Sequence, residues 1–78
     1  MKPPLTADRA PLGVPLIFVD ASVADPVLRR LSALGLRRGV QLSLLHGLAG
    51  GGRIVAVGGG RIAVAREVLS RLRVERAA

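Results

Sequence analysis

The chain is 78 residues long, so it holds one domain at most and has little length to spare for the walled pocket that an enzyme needs beside its core. Half of the residues are apolar and none is cysteine, which excludes disulfides and leaves aliphatic packing to hold the fold together. The net charge of +7, with twelve basic residues against five acidic ones, either reflects compositional bias or favours an anionic partner such as nucleic acid, an anionic membrane face or an acidic protein surface.

The first residues predict no regular structure. Residues 1–13 contain three prolines and a glycine, and we expect them to run extended or loose, with 1–4 flexible and 5–76 forming a single domain. The start lacks the apolar core of a signal peptide. The longest uncharged stretch, 39–52, is too short and too rich in glycine to span a bilayer, which takes about 20 apolar residues. The sequence therefore predicts a cytoplasmic protein without a membrane span.

A strand and a helix come next. The stretch VPLIFVDA (14–21) is β-branched and aromatic and predicts a first strand. The stretch 22–36 predicts a helix, with Asp25 as its N-cap, Pro26 at its first position and Gly35 in the left-handed conformation at its end. Three leucines share the face that we expect to pack on the sheet: Leu28, Leu31 and Leu34.

The second half of the chain predicts a three-strand meander, a short helix and a last strand, over residues 40–45, 53–57, 61–65, 66–72 and 73–75. Strand 40–45 alternates, with Val40, Leu42 and Leu44 on one face. The resulting order indicates a mainly β protein, a small barrel of about five strands with one helix after the first strand and a short helix before the last. A barrel is favoured because closure removes exposed strand edges.

Two glycine triplets, 50–52 and 58–60, each precede an arginine and an apolar run. A phosphate-binding loop needs Lys-Ser/Thr and a following helix, and a dinucleotide fingerprint needs a βαβ unit. Both triplets instead lead into strand patterns. We therefore expect turns, the second being a three-residue hairpin loop over Gly58–Gly60.

The sequence offers no catalytic or metal-binding set. His46 is the only histidine and has no recognisable nucleophile or orienting partner. Asp20 and Asp25 share one stretch, but a turn residue and a helix cap explain them more simply. One histidine and no cysteine cannot form a transition-metal site. We therefore expect a protein that is not an enzyme and has no cofactor or metal.

Two binding functions remain open from the residues alone. Small barrels bind nucleic acid through a basic face with stacking aromatic rings, and this chain has the charge but only one aromatic residue, Phe18. The alternative is a protein-docking module, because strands 53–57 and 61–65 are apolar on both faces and one small core cannot hide both. Either the helix, the N-terminal segment or a partner then covers the second face.

The stretch RRLSALGLRRGVQLSLL (29–45) resembles the signature of the FeoA family, which has an arginine-leucine helix end, a Leu-Gly-Leu turn, a glycine turn and a valine strand. The likeness continues through Ile62, Ala63 and Val64 to the terminal L-x-V-E of 72–75 and covers about residues 5–75. This sequence departs from the family pattern in three places. Arg38 replaces a usual proline, the 47–52 loop lacks another, and Ala65 stands where an arginine is common.

The resemblance implies an SH3-like small barrel without a catalytic centre, which associates with the cytoplasmic GTPase portion of the ferrous iron transporter FeoB. A similar domain ends some iron-dependent repressors, so a stand-alone relative of that module is the alternative, beside a nucleic-acid-binding barrel. We expect the protein to reach the inner face of the membrane through this partner, with weak self-association as a further expectation. Two residue sets are candidates for contact. The docking set is Leu31, Leu34, Gly35, Leu36 and Gly39, and the steering set is Arg29, Arg30, Arg37 and Arg38.

Overall fold

The computed structural model describes residues 5–77, so the predicted flexible segment 1–4 lies outside the described residues. It contains six strands, two α-helices and a 3₁₀ turn over Ala49–Gly51. In chain order the elements are β1 Leu5–Thr6, β2 Leu16–Ala21, α1 Asp25–Ala33, β3 Gln41–Gly47, β4 Arg53–Val57, β5 Gly60–Val64, α2 Arg66–Leu69 and β6 Leu72–Arg76.

All six strands belong to one antiparallel sheet in the order β1-β6-β2-β3-β4-β5. The mainly β prediction is confirmed, with a helix after the first long strand and a short helix before the last. The sheet has six strands rather than about five, because Leu5 and Thr6 pair with Val74 and Arg73 of β6. Within the stretch predicted to run extended or loose, Leu5 and Thr6 therefore form a paired strand that the sequence did not predict, and 7–13 form no helix or strand. A two-residue strand has no periodic pattern of its own, so only its pairing with β6 identifies it.

Two irregularities bend the sheet around its core. The register shifts between Phe18 and Asp20 in β2, and again between Leu44 and His46 in β3. An extra residue on one strand of an antiparallel pair bends that strand and increases its twist. The bends allow a sheet of this size to wrap around one small set of side chains.

The core is aliphatic around a single ring. Phe18 is almost completely buried and lies opposite Val74. Alternate residues of β3 and β4 point inward, as the period of two in the sequence predicts. The buried residues are Ala7, Ala10, Leu16, Phe18, Leu31, Leu36, Leu42, Leu44, Val55, Val57, Val64, Leu69, Leu72 and Val74.

The start of α1 differs from its prediction by one residue. The N-cap is Ala24, with extended backbone and no side-chain cap, and the Leu28 N–H donates to its carbonyl at 3.0 Å. Asp25 therefore lies in the first helical turn. A carboxylate there still interacts favourably with the helix dipole. Asp20 is likewise not a turn residue, since it lies in β2 and forms a 2.6 Å ion pair with Arg73 of β6.

The turns and the last elements are tighter than predicted. The hairpin between β4 and β5 has a two-residue loop, because Gly60 already pairs with Val57 and only Gly58 and Gly59 lie outside the ladder. Both have positive φ, +59° and +81°, as a type I′ turn requires. The second helix is a single four-residue turn, shorter than the predicted 66–72. Leu72 belongs to the last strand, where it pairs with Ala21 of β2, and its side chain lies in the core.

Arg53 ties the N-terminal segment to the far side of the sheet. Its Nη1 donates to the carbonyls of Ala7 and Ala10 at 2.9 and 2.7 Å. Both alanines are buried, and the Ala7 N–H donates to the Leu72 carbonyl at 2.9 Å. One guanidinium thus joins the segment after β1, at one end of the strand order, to β4, next to its other end.

Replacing Arg53 by methionine should destabilise the protein by about 1.5–3 kcal/mol, because two buried carbonyls lose a charged donor. Urea unfolding followed by far-UV circular dichroism measures the change. Arg61→Met is the matched control, since Arg61 holds the equivalent place after the second glycine triplet and is exposed. Equal stability losses in the two variants would show that the two hydrogen bonds contribute nothing specific.

Candidate functional site

The chain reverses after α1 through a complete Schellman turn. Leu34 caps the helix, and Gly35 follows with a φ of +102°. The Leu36 N–H donates to the Leu31 carbonyl at 2.9 Å, and the Gly35 N–H donates to the Ser32 carbonyl at 3.0 Å. These are the two hydrogen bonds that define the motif, and an apolar contact between its end residues usually accompanies them. The Leu-Gly-Leu stretch is therefore a helix stop.

The second glycine of the docking set closes the next turn. The Val40 N–H donates to the Arg37 carbonyl at 3.1 Å, and Gly39 has a φ of +86° at the third position of this turn. A type II turn reserves that position for glycine and often has proline just before it. Arg38 stands at that preceding position, and the turn forms without a proline. The Gly39 N–H then donates to the Phe18 carbonyl at 2.8 Å, which leads the chain into β3.

The structure separates the three leucines of the docking set. Leu31 and Leu36 are 6% and 1% exposed and belong to the core, whereas Leu34 is 47% exposed. Leu34 is therefore accessible from solvent, Leu31 reaches the surface only where it lines a groove beside α1, and Leu36 is enclosed. Gly35 and Gly39 contribute backbone conformation. As a docking surface, the set remains a prediction.

A groove of about 430 Å³ runs between α1 and β5, beside Leu34. Its wall on α1 includes Val27 and Leu34, and its wall on β5 includes Ile62 and Ala63. Arg30 is the only charged residue among its lining residues. Its remaining lining is apolar, and the sequence patterns placed only its α1 side in the docking set.

The sequence does carry a signal for the other side of the groove. Strand 61–65 is apolar at every position after its arginine, which predicted an uncovered face. In the structure Val64 is buried, Ile62 is half-buried and Ala63 is exposed. The helix α1 lies beside this strand but leaves the groove open. The predicted need for a cover is therefore met only in part within residues 5–77.

All four arginines of the steering set have exposed side chains. Arg30 lines the groove, and Arg37 uses its Nε to donate to the Ser32 carbonyl at 3.3 Å. Arg29 and Arg38 make no side-chain hydrogen bond within the described part of the chain. Arg30 thus lies in the last turn of α1, and Arg37 and Arg38 follow the reversal that ends the helix.

The glycine triplets act as turns. A Cβ on Gly52 would lie 2.9 Å from the Val64 carbonyl oxygen, so close packing against β5 requires glycine there. The two repeat arginines differ, since Arg53 is tied to Ala7 and Ala10 and Arg61 is exposed. Both triplets lead into strands, so neither presents a helix N-terminus to a phosphate.

The residues considered for chemistry stay apart. His46 is exposed near the end of β3, opposite Ile54, and Asp20 is paired with Arg73. Among residues 5–77, no three His, Cys, Asp or Glu side chains lie close enough to hold a metal ion together. No helix in this part of the chain is long and apolar enough to cross a membrane.

The bent six-stranded antiparallel sheet with two short helices is a small SH3-like β fold. The FeoA domain model matches residues 8–76, and the chain belongs to the FeoA family. None of the curated proteins matches the chain significantly in sequence.

Three solved structures show how widely this fold extends. The FeoA protein of Chlorobium tepidum superposes with a TM-score of 0.87 at 24% identity, over 95% of this chain and 71% of its own. Iron(II) transport protein A of Clostridium thermocellum gives 0.85 at 18% identity, over 94% of this chain, which spans 46% of that protein's chain. ScaR with bound Cd²⁺ gives 0.82 at 22% identity, over 92% of this chain and 35% of its own. These likenesses are of fold.

Gly35→Ala should destabilise the protein by about 1–2 kcal/mol, because a Cβ is strained at this positive φ whatever space surrounds it. Gly47→Ala is the control, since Gly47 has ordinary backbone and open space around its Cα. Chemical denaturation of both variants measures the difference. A Gly35→Ala variant as stable as the Gly47→Ala variant would contradict the requirement for glycine after α1.

Proposed function

We propose that this protein is a non-enzymatic accessory protein of ferrous iron uptake that docks on the cytoplasmic portion of a FeoB-like membrane transporter. The proposal rests on membership of the FeoA family over residues 8–76. The observation that carries the docking role is the open apolar groove with the exposed Leu34 beside it. Exposed apolar surface of this kind on a small protein marks interaction sites.

In this proposal the protein acts by binding its partner, without catalysing a reaction. Its apolar groove excludes water when it is covered, which supplies affinity, and the arginines around the end of α1 attract an acidic surface before contact. We propose a cytoplasmic protein that is held at the inner face of the membrane by the transporter.

The alternative function, nucleic-acid binding, needs stacking aromatic rings as well as a basic face. Phe18 is the only aromatic residue of the chain, and it is 1% exposed inside the core. Bases therefore find no exposed Phe, Tyr or Trp ring to stack on, and the basic charge favours phosphate contacts with arginines. Such binding is weak and depends steeply on salt. The repressor alternative rests on likeness of fold to ScaR, which is a manganese-activated repressor, at 22% identity.

Leu34→Ser should weaken binding to the cytoplasmic portion of FeoB about tenfold, because the apolar contact at the groove is lost while the core stays intact. Leu12→Ser is the matched control, since Leu12 is equally exposed at 47% and lies away from the groove. Isothermal titration calorimetry measures both affinities. Leu36 is unsuitable for this test because it is buried.

Absence of any binding to the transporter, together with salt-sensitive binding to random-sequence RNA or DNA, would overturn the proposal in favour of the nucleic-acid alternative. Equal weakening by Leu12→Ser would place the contact elsewhere on the protein.

A double variant with Arg37→Gln and Arg38→Gln should associate with FeoB several-fold more slowly at low salt and dissociate at nearly the same rate, since exposed charges act mainly on encounter. Stopped-flow mixing across ionic strengths measures both rate constants. Arg9→Gln with Arg76→Gln removes the same charge from exposed positions outside the steering set. Equal slowing in both doubles would mean that net charge, and not the position of these arginines, sets the rate.

A further inference from the structure

The strand β5 is an open edge of the sheet. It pairs with β4 on one side and stands last in the strand order, and among residues 5–77 no other strand pairs with it. An open edge presents backbone N–H and C=O groups that can pair with another extended segment. The groove beside α1 runs along this same strand.

The hairpin geometry determines which backbone groups are free. In a two-residue hairpin the pair that flanks the turn, Val57 and Gly60, exchanges both hydrogen bonds, and such pairs then alternate along the ladder. Ile62 and Val64 therefore bond to β4. Arg61 and Ala63 point their N–H and C=O groups away from β4, and neither N–H has a backbone partner among the described residues.

The surroundings of this edge define the side chains that a partner segment would carry. Val27, Leu34 and Ile62 line the groove and suit an apolar side chain. Arg30 lines the same groove and Arg61 is exposed on the strand itself. Their positive charges favour an acidic residue in the partner segment. A second copy of this chain would bring its own +7 charge and another Arg61 to the same edge, which opposes self-pairing.

We propose that the partner docks by strand addition, as an extended acidic and apolar segment that pairs with the free edge of β5. It hydrogen-bonds to the backbone of Arg61 and Ala63, places an apolar side chain in the groove between α1 and β5, and directs a carboxylate towards Arg30. Main-chain pairing supplies affinity in this mode, and the groove supplies specificity. The inference rests on the proposed function, since the segment belongs to the cytoplasmic portion of the transporter.

Residue-resolved amide hydrogen exchange tests this mode directly. The full chain, labelled with ¹⁵N, is compared alone and saturated with the cytoplasmic portion of FeoB. Strand addition predicts that exchange slows at least tenfold at Arg61 and Ala63, while Ile62 and Val64, already bonded to β4, change little. Ordinary burial by a partner would slow exchange without this alternation.

Two pairs of variants test the same geometry by affinity. Ala63→Pro removes the free N–H, and proline is tolerated at an edge position whose N–H faces outward, so binding should fall at least tenfold with folding retained. Ala63→Thr changes the side chain but keeps the N–H, so it should bind several-fold more tightly than Ala63→Pro. Arg30→Glu should weaken binding more than Arg29→Glu, because only Arg30 lines the groove.

The outcomes separate this inference from the function on which it rests. Binding of the transporter with no alternating protection, or with Ala63→Pro as tight as Ala63→Thr, overturns strand addition and leaves the docking function standing. Protection of Arg61 and Ala63 that appears without the transporter and grows with protein concentration identifies a second copy as the occupant and overturns the inference. No binding of the transporter at all overturns both.

Discussion

The backbone reversal at Gly35 is the constraint on which the candidate site depends. Its positive φ allows the two Schellman hydrogen bonds to form, and these turn Leu36 back towards Leu31 so that both enter the core. Leu34, one residue before the glycine, stays outside beside the groove. A three-residue stretch thus separates a structural leucine from a surface leucine. The same turn ends α1, and Arg30 in the last turn of the helix lines that groove.

The rest of the molecule shows how a chain of this size builds a core without disulfides. The sheet bends at two register shifts and encloses one aromatic ring and a set of aliphatic side chains. Arg53 then connects the segment that follows β1 to β4 by two hydrogen bonds to buried carbonyls. A charged donor suits this role because such bonds contribute more than neutral ones. The expected closure is not complete, because β1 and β5 stand at opposite ends of the strand order and do not pair, so the edge of β5 stays open beside α1.

In the proposed docking mode, one partner segment uses the open edge and the groove together. A buried apolar surface alone would be core, and an open strand edge alone would be a liability for aggregation. Their combination on a strongly basic protein gives a directional surface that favours an acidic partner and disfavours another copy of itself. Under the proposed function, the protein contributes shape, charge and backbone hydrogen bonds, and the chemistry of iron uptake belongs to its partner.

The sequence by itself determined the order of the elements from β2 to β6, most of the core face of these strands and the two glycine turns that follow α1, because these follow from local periodicity and from backbone conformations that glycine adopts readily. The order and spacing of the motifs over about residues 5–75 also indicated the FeoA family, which the family model confirms over residues 8–76. Only the tertiary structure decided that Leu5 and Thr6 form a strand, that Leu36 is core and Leu34 is not, and that Arg53 and Arg61 have different roles. Each of these depends on contacts between residues far apart in the chain. A local sequence pattern contains no information about which distant residues those contacts will involve.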